Sequence, residues 1–265
     1  MNRIPHTIHY CWFGKNPLDE KAMKCIESWH RFFPDYEIIQ WNEDNFDVRI
    51  CDFTQKAYAD KKWAFVSDVA RLQILYDYGG LYFDTDVEVI APYDDILATD
   101  AEGFLGFEKT AQVNTGLGFG AVKGCTLLKD ILDIYREIDY SDFKDNLSDI
   151  ACTVLTTDLL CQHGLILNNC KQRICDFEIY PATYFSPINY YTGTMEKTTF
   201  THSIHWYNAS WQSNTDRSNF AKTQKLYRLL GRNTADVLLG ISSCIKKEGL
   251  WVYLWNRIHK FIVRI

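Results

Sequence analysis

The chain has 265 residues, 47% hydrophobic and 23% charged, so it is long enough for a large folded domain and is not intrinsically disordered. Its formal net charge of -6 argues against a general nucleic-acid binder, and we expect no nucleic-acid partner. The charge is uneven: residues 222–265 hold nine Lys or Arg and two Asp or Glu, a net +7, which leaves -13 for residues 1–221.

The cysteines and the apolar segments indicate the cellular location of the protein. Nine cysteines form no CxxC pair and are odd in number, which predicts reduced thiols rather than disulfides or a zinc site. The N-terminus lacks the apolar core of a secretion signal, and no run of about 18 apolar residues occurs. We therefore expect a cytoplasmic protein that does not span a membrane.

The first 41 residues predict a β-α-β unit. Residues 7–12 form a short apolar strand, apolar side chains recur at helical spacing over residues 18–33, and residues 36–41 form a second strand. Pro34 and Asp35 end the helix. Two strands joined by a crossover helix indicate parallel pairing and an α/β fold.

A second helix and strand lead into an acidic segment. The helical pattern begins at Ala64, and Gly79 with Gly80 ends it. Residues 81–83 then form a strand, Asp84-Thr85-Asp86 follow at once, and residues 87–90 continue as extended chain. The acidic residues are thus predicted to interrupt a buried strand.

The later elements complete one domain and a tail. Residues 104–107, 117–121 and 198–206 are predicted strands, and residues 127–138 and 154–161 are predicted helices. Helical patterns resume after Arg217, with no repeat or linker before them. We predict an α/β domain over residues 1–216 and a basic amphipathic helical segment over residues 217–265.

The acidic segment has the spacing of a metal site. Residues two apart on a strand face the same side, so Asp84 and Asp86, with Glu88 as a third, are expected to point to one place. A bound Mn²⁺ or Mg²⁺ would stabilise such clustered carboxylates and accept phosphate oxygens as further ligands. The alternative is an ordinary solvated acidic turn.

Asp68 and Arg71 lie three residues apart on the preceding helix and share a face. They form either a simple helical ion pair or a pair that contacts the hydroxyls and the phosphate of a ligand.

Together these motifs resemble glycosyltransferase family 32, which includes bacterial capsular-polysaccharide transferases and yeast initiating mannosyltransferase homologues. Their order is also similar, more distantly, to the glucosylating domains of large clostridial toxins. The resemblance covers about the first 120 residues, with a weaker match over residues 204–211. The matching segments are Ile4-Pro5, residues 8–14, residues 67–71, Tyr78-Gly79-Gly80, Tyr82, Asp84-Thr85-Asp86 and Asn114-Thr115-Gly116.

The resemblance implies a GT-A type fold, a mixed and mostly parallel sheet flanked by helices, in which residues 1–216 form the catalytic domain. It implies a retaining glycosyltransferase that uses Mn²⁺ or Mg²⁺ and a UDP- or GDP-sugar donor. The acceptor would be a hydroxyl of a glycan or of a lipid-linked oligosaccharide, in bacterial capsule, O-antigen or exopolysaccharide synthesis. The alternatives are a metal-dependent nucleotide-sugar hydrolase and a non-catalytic sugar-nucleotide-binding protein.

The resemblance also implies a role for individual residues. Trp12 would stack on the nucleotide base, Asp84 would contact the ribose or sugar, and Asp86 would ligate the metal. The implied catalytic residues are Asp68, Arg71, Asp84 and Asp86, the implied donor-binding residues are Trp12, Tyr82, Asn114, Ser210 and Trp211, and the implied metal ligands are Asp84, Asp86 and His205.

The match over residues 204–211 departs from the family, because Trp206 replaces one of two adjacent histidines and Ala209 replaces a glycine. His205 is therefore either a metal or phosphate ligand or a buried structural histidine. If the reaction needs an enzymic nucleophile, Asp158 and Glu108 are candidates, although the sequence does not place either near the sugar.

The C-terminal tail predicts a helix with one apolar and one basic face. Such a helix can lie on an anionic membrane surface, which would place the protein peripherally on the inner face of the cell membrane. The alternative is a helix that packs on the domain or on a second subunit. The apolar face comprises Trp251, Leu254, Trp255, Ile258, Phe261, Ile262 and Ile265.

Overall fold

The structure is a computed structural model that describes residues 3–108, 111–144, 146–208, 214–231 and 233–239. The chain divides into two compact units, residues 1–189 with 194–211 and residues 190–193 with 212–265. The division between residues 216 and 217 stays a prediction. In chain order the elements are β1 (Thr7–Cys11), α1 (Glu20–Phe32), β2 (Glu37–Trp41), α2 (Asp52–Ala59), α3 (Trp63–Tyr78), β3 (Gly80–Tyr82), β4 (Val87–Val89), α4 (Asp94–Leu97), β5 (Gly103–Phe107), β6 (Val113–Asn114), β7 (Phe119–Ala121), α5 (Thr126–Glu137), α6 (Cys152–Gln162), β8 (Gln172–Ile174), β9 (Phe177–Tyr180), α7 (Ala182–Phe185), β10 (Ser203–His205) and α8 (Asn214–Leu230).

The predicted β-α-β opening is confirmed. Strands β1 and β2 pair in parallel, with Ile8 opposite Ile38, and α1 forms the crossover. The side chain of Asp19 accepts a hydrogen bond from the backbone N–H of Ala22 and so caps the start of α1. The buried face of this helix includes Cys25 and Trp29.

Within the described residues, the larger sheet has eight strands in the order β2-β1-β3-β7-β5-β9-β8, with β6 paired to β5. Strands β2, β1, β3, β5 and β9 run in one direction, and β6, β7 and β8 run in the other. Five of the eight strands are therefore parallel in direction. The predicted fold class, a mixed and mostly parallel α/β sheet flanked by helices, is confirmed.

Alternate side chains of the strands belong to two hydrophobic cores. On β3, Tyr82 packs in the core that contains α3 and α5, whereas Leu81 and the following Phe83 pack in the core that contains Trp29 of α1. Because alternate strand residues point to opposite faces, the two cores lie on opposite sides of the sheet. Both faces of the central strands are buried.

The chain changes sheets at the acidic segment. Strand β4 pairs antiparallel with β10 in a separate two-stranded sheet, with Val87 opposite His205. The backbone N–H of Val87 donates to the carbonyl of Asp84 at 2.9 Å, which closes a turn between β3 and β4. The prediction that this segment continues one strand is wrong, because the turn carries the chain out of the larger sheet.

The second unit contains α8 and a helical stretch over residues 233–239. The Tyr227 hydroxyl donates to Asp236 at 2.5 Å within it. Ser210, Trp211 and the predicted amphipathic tail helix lie outside the described residues. Among the helices that are described, none combines the length and the apolar character needed to cross a membrane.

Candidate active site

The candidate residues lie where parallel strands of the larger sheet end. Asp84 follows β3 by two residues, and Trp12 follows β1, which is paired to β3 in parallel. Trp12 is half-buried, its indole N–H donates to the carbonyl of Asn16 at 2.7 Å, and its backbone N–H donates to Trp41. Both residues therefore belong to the carboxyl edge of the sheet, where α/β folds bind nucleotides.

Arg71 joins helix α3 to the acidic turn. Its guanidinium Nη2 lies 3.3 Å from the Asp68 carboxylate and 3.0 Å from the Asp84 carboxylate. Asp68 and Arg71 are 7% and 4% exposed, so water screens these contacts little. Arg71 Nε also donates to the carbonyl of Ser67 at 3.1 Å. Asp68 and Arg71 therefore form a helical ion pair, and Arg71 also contacts the carboxylate of Asp84.

Two further residues shape the surroundings of Asp84. The hydroxyl of Tyr82 donates to Asp84 Oδ1 at 3.0 Å, and its ring is buried 5.0 Å from the Arg71 guanidinium carbon. Tyr82 therefore contacts Asp84 from within the core. A Cβ at Gly116 would lie 2.2 Å from Asp84 Oδ2, so only glycine leaves room for the carboxylate.

Asp86 faces the two-stranded sheet. Its Oδ1 lies 3.0 Å from His205 Nε2, and its Oδ2 accepts from the backbone N–H of Asn208 at 2.8 Å. Burial acts to raise the pKa of Asp86, but the neighbouring imidazole and the backbone N–H donors together outweigh it and lower the pKa below its ordinary value. Burial likewise acts to lower the pKa of His205, and Asp86 instead raises it.

The pKa of Asp84 is shifted in the opposite direction to that of Asp86. Burial raises the pKa of this carboxyl above its ordinary value, and Arg71 offsets the effect only in part. An additional positive charge beside Asp84 would favour its ionised form.

The three residues fit a divalent cation. Asp84, Asp86 and His205 each offer a ligand atom, and these atoms lie within 4.8 Å of one another. Arg71 and Tyr82 engage Asp84 Oδ1, which leaves Oδ2, and His205 Nδ1 is buried without a hydrogen-bond partner in the described part of the chain. Two carboxylates and an imidazole form a donor set that suits Mn²⁺ and can hold Mg²⁺.

Glu88 does not join this group of potential ligands. Its carboxylate accepts a hydrogen bond from the indole N–H of Trp206 at 2.9 Å. The expectation of a third carboxylate from Glu88 is wrong, because it assumed a strand where the chain turns.

The structure separates the two candidate nucleophiles. Asp158 is exposed on α6, whereas Glu108 is buried and accepts from Asn114 Nδ2 at 2.5 Å. Asn114 in turn accepts from the backbone N–H of Gly116, beside Asp84. Glu108 and Asn114 thus lie close to the acidic turn, and Asp158 contacts none of these residues in the part of the chain described.

Cys152 is a neighbour of the site that the sequence did not indicate. Its backbone N–H, at the start of α6, donates to Asp68 Oδ2 at 3.3 Å, and its sulfur accepts from Arg71 Nη1 at 3.7 Å. No motif marks this cysteine, because the contact joins residues that lie more than 80 positions apart in the chain.

A known protein family matches this part of the chain. Residues 19–102 match the family described as "Glycosyltransferase sugar-binding region containing DXD motif". These residues are therefore similar to that region. The DXD region contains Asp68, Arg71, Asp84 and Asp86, so the resemblance to family 32 is confirmed over these residues.

Curated relatives match about a third of the chain. Inositol phosphoceramide mannosyltransferase 1 of Schizosaccharomyces pombe is 32% identical over a 109-residue alignment that covers 37% of this chain and 33% of that protein. Inositol phosphoceramide mannosyltransferase 3 of the same yeast is 30% identical over 105 residues, covering 36% and 27%. The chain therefore spans a third or less of the length of these relatives.

Similar solved structures include the PaToxG glycosyltransferase, with a TM-score of 0.48, 19% identity, and 60% of this chain and 69% of that chain covered. The galactosyltransferase LgtC, solved with donor and acceptor sugar analogues, has a TM-score of 0.38, 12% identity, and coverage of 83% and 95%.

Proposed function

We propose that this protein is a metal-dependent glycosyltransferase that moves a sugar from a UDP- or GDP-sugar to a hydroxyl of a glycan or lipid-linked acceptor, with retention at the anomeric carbon. The observation that carries the proposal is the cluster of Asp84, Asp86 and His205 at the carboxyl edge of the sheet. The DXD region supports the same activity, and retention rests on the family resemblance alone.

Different side chains would bind different parts of the donor. Asp84 Oδ2, Asp86 and His205 would hold Mn²⁺ or Mg²⁺, which when bound supplies positive charge for the diphosphate. Arg71 adds a fixed cation next to Asp84, in a buried setting where electrostatic stabilisation of a leaving diphosphate is strong. Asp68 keeps Arg71 oriented, and its carboxylate can accept hydrogen bonds from sugar hydroxyls.

The remaining donor contacts follow from position. Trp12, at the end of β1, offers a half-buried ring for stacking on the base. Asn114 lies beside Gly116 and Asp84 and would face the donor sugar. From the family resemblance we also propose that Ser210 and Trp211 bind the diphosphate.

The relatives suggest which substrates to test first. Two of them are named for mannosyl transfer to a lipid, so nucleotide-activated mannose and lipid-linked acceptors are the first choices. We further propose a role in bacterial surface polysaccharide synthesis, from the inner face of the cell membrane, with the basic residues of 222–265 attracted to anionic lipids.

The test is release of nucleoside diphosphate from a panel of UDP- and GDP-sugars, with and without Mn²⁺ and with and without acceptors. We expect Mn²⁺-dependent release that an acceptor accelerates. Asp86→Asn should reduce it by about 100-fold or more, because the amide keeps the shape and removes the charge of a ligand. Asp35→Asn, at an exposed position before β2 on the opposite edge, is the matched control and should behave as wild type.

Three results would contradict the proposal. If none of the donors released nucleoside diphosphate, the proposed transferase activity would be wrong. Normal turnover of Asp86→Asn would remove the metal assignment. Release that no acceptor accelerates would indicate the nucleotide-sugar hydrolase instead.

A further inference from the structure

Glu108 is a buried carboxylate next to the proposed metal site that has no part in holding the cation. It directly follows β5 and is 7% exposed. Its backbone N–H donates to the carbonyl of Gln112 at 2.7 Å, so it stands where the β5–β6 hairpin begins. Burying a carboxylate is costly unless strong hydrogen bonds compensate it, and Glu108 accepts such bonds from its neighbours.

One set of contacts leads from Glu108 to the acidic turn. Asn114 Nδ2 donates to Glu108 Oε1, and Asn114 Oδ1 accepts from the backbone N–H of Gly116. The carbonyl of Gly116 then accepts from the backbone N–H of Asp84 at 3.3 Å. Because a carboxylate only accepts, Glu108 determines which end of the Asn114 amide faces Gly116.

A second contact leads from Glu108 to the other side of the site. The Tyr207 hydroxyl is hydrogen-bonded to Glu108 and lies 2.8 Å from Ser186 Oγ. The Tyr207 ring packs edge-on against His205, with centroids 4.2 Å apart. Glu108 therefore contacts both the β5–β6 hairpin and the segment that follows β10.

We propose that Glu108 is a positioning residue of the donor-sugar site, which acts by orienting the side-chain amide of Asn114. This role rests on the proposed function, because it takes Asn114 as a contact to the donor sugar. It predicts that substitutions of Glu108 weaken binding of the nucleotide sugar and do not change binding of the nucleoside diphosphate.

The experiment measures binding to the full chain by calorimetry with Mn²⁺ and two probes, UDP or GDP alone and the corresponding nucleotide sugar that proves active. We expect Glu108→Ala to weaken binding of the nucleotide sugar by about tenfold or more, and Glu108→Gln to weaken it less, because a neutral acceptor makes a weaker hydrogen bond. Binding of the nucleoside diphosphate should change less than about twofold. Glu102→Gln, at the other end of β5, is the control and should match wild type for both probes.

A double-mutant cycle tests whether Glu108 acts through Asn114. If it does, Glu108→Gln/Asn114→Ala should bind the nucleotide sugar no more weakly than Asn114→Ala alone. Thermal unfolding of each variant reports general damage, and Glu108→Gln keeps the volume of the side chain if alanine proves too disruptive.

The outcomes separate this role from the proposed function. Equal weakening of both probes, no weakening, or additive losses in the cycle would each overturn the role of Glu108. Failure of the wild-type chain to bind any nucleotide or nucleotide sugar would overturn the proposed function, and with it this role.

Discussion

His9 makes the stability of the fold depend on pH in a way that can be measured. It lies on β1 with 1% of its surface exposed, between Trp41 of β2 and the end of α3. Trp41 Nε1 donates to His9 Nδ1 at 3.0 Å, so Nε2 carries the proton and donates to the carbonyl of Gly79 at 3.0 Å. Both ring nitrogens are satisfied only in the neutral imidazole, since protonation would set two donors against each other at Nδ1.

The magnitude follows from the pKa. Burial lowers the pKa of His9 from its ordinary 6.5 to about 4. The unfolded chain therefore takes up the proton first, and the free energy of unfolding decreases as the pH falls from about 6.5 towards about 4. The full effect is about 3 kcal/mol, of which about 2 kcal/mol is lost between pH 7.5 and pH 5.

Urea unfolding at a series of pH values between 7.5 and 5 measures this loss. His9→Asn removes the titrating group, so the variant should be less stable at pH 7.5 but should lose about 2 kcal/mol less than wild type across the range. His163→Asn, at an exposed position after α6, is the matched control and should keep the wild-type pH dependence. Parallel curves for wild type and His9→Asn would refute the reasoning.

Three further predictions concern the site and the tail. Trp12→Ala should raise the donor KM by about 5- to 150-fold, because stacking on a base contributes about 1 to 3 kcal/mol; an unchanged KM would remove Trp12 from the site. Gly116→Ala should weaken Mn²⁺ binding and turnover together, since its Cβ would lie 2.2 Å from Asp84 Oδ2; wild-type Mn²⁺ affinity by calorimetry would contradict this. Removal of residues 249–265 should release the protein from anionic liposomes and leave donor turnover unchanged, and high salt should weaken liposome binding of the full chain. Equal cosedimentation of the full and the truncated chain would rule out the membrane role. A truncated chain that fails to fold would favour a tail helix that packs on the protein.

The local elements near the N-terminus were predictable because their signals are local. Apolar spacing and the Pro34-Asp35 stop predicted α1, and Gly79 with Gly80 marked the end of α3. The two aspartates of the DXD motif, and the resemblance to a glycosyltransferase family that they carry, could also be recognised from the sequence. Helix α2 was not predicted, and neither was the β8–β9 hairpin, although Phe177 and Ile179 alternate as in a half-buried strand.

The error at the acidic turn has a physical origin. The sequence is apolar and aromatic before Asp84 and rich in β-branched residues after Asp86, which suits one long strand as well as two short ones. Only the pairing of β4 with β10 distinguishes the two cases. The contacts of Cys152 with Asp68 and Arg71 depend in the same way on residues that are distant in the chain.

The pairing of β4 with β10 also bears on how the site is completed during synthesis. Val87 and His205 are opposite one another in this ladder, so the imidazole reaches Asp86 only after the chain has been made as far as β10. A ribosome-bound chain that ends before Ser203 already has both carboxylates of the turn but lacks the imidazole that we propose as the third metal ligand. Because closing so long a loop is slow compared with forming local helices, we expect nucleotide-sugar turnover to arise late and abruptly as the nascent chain lengthens.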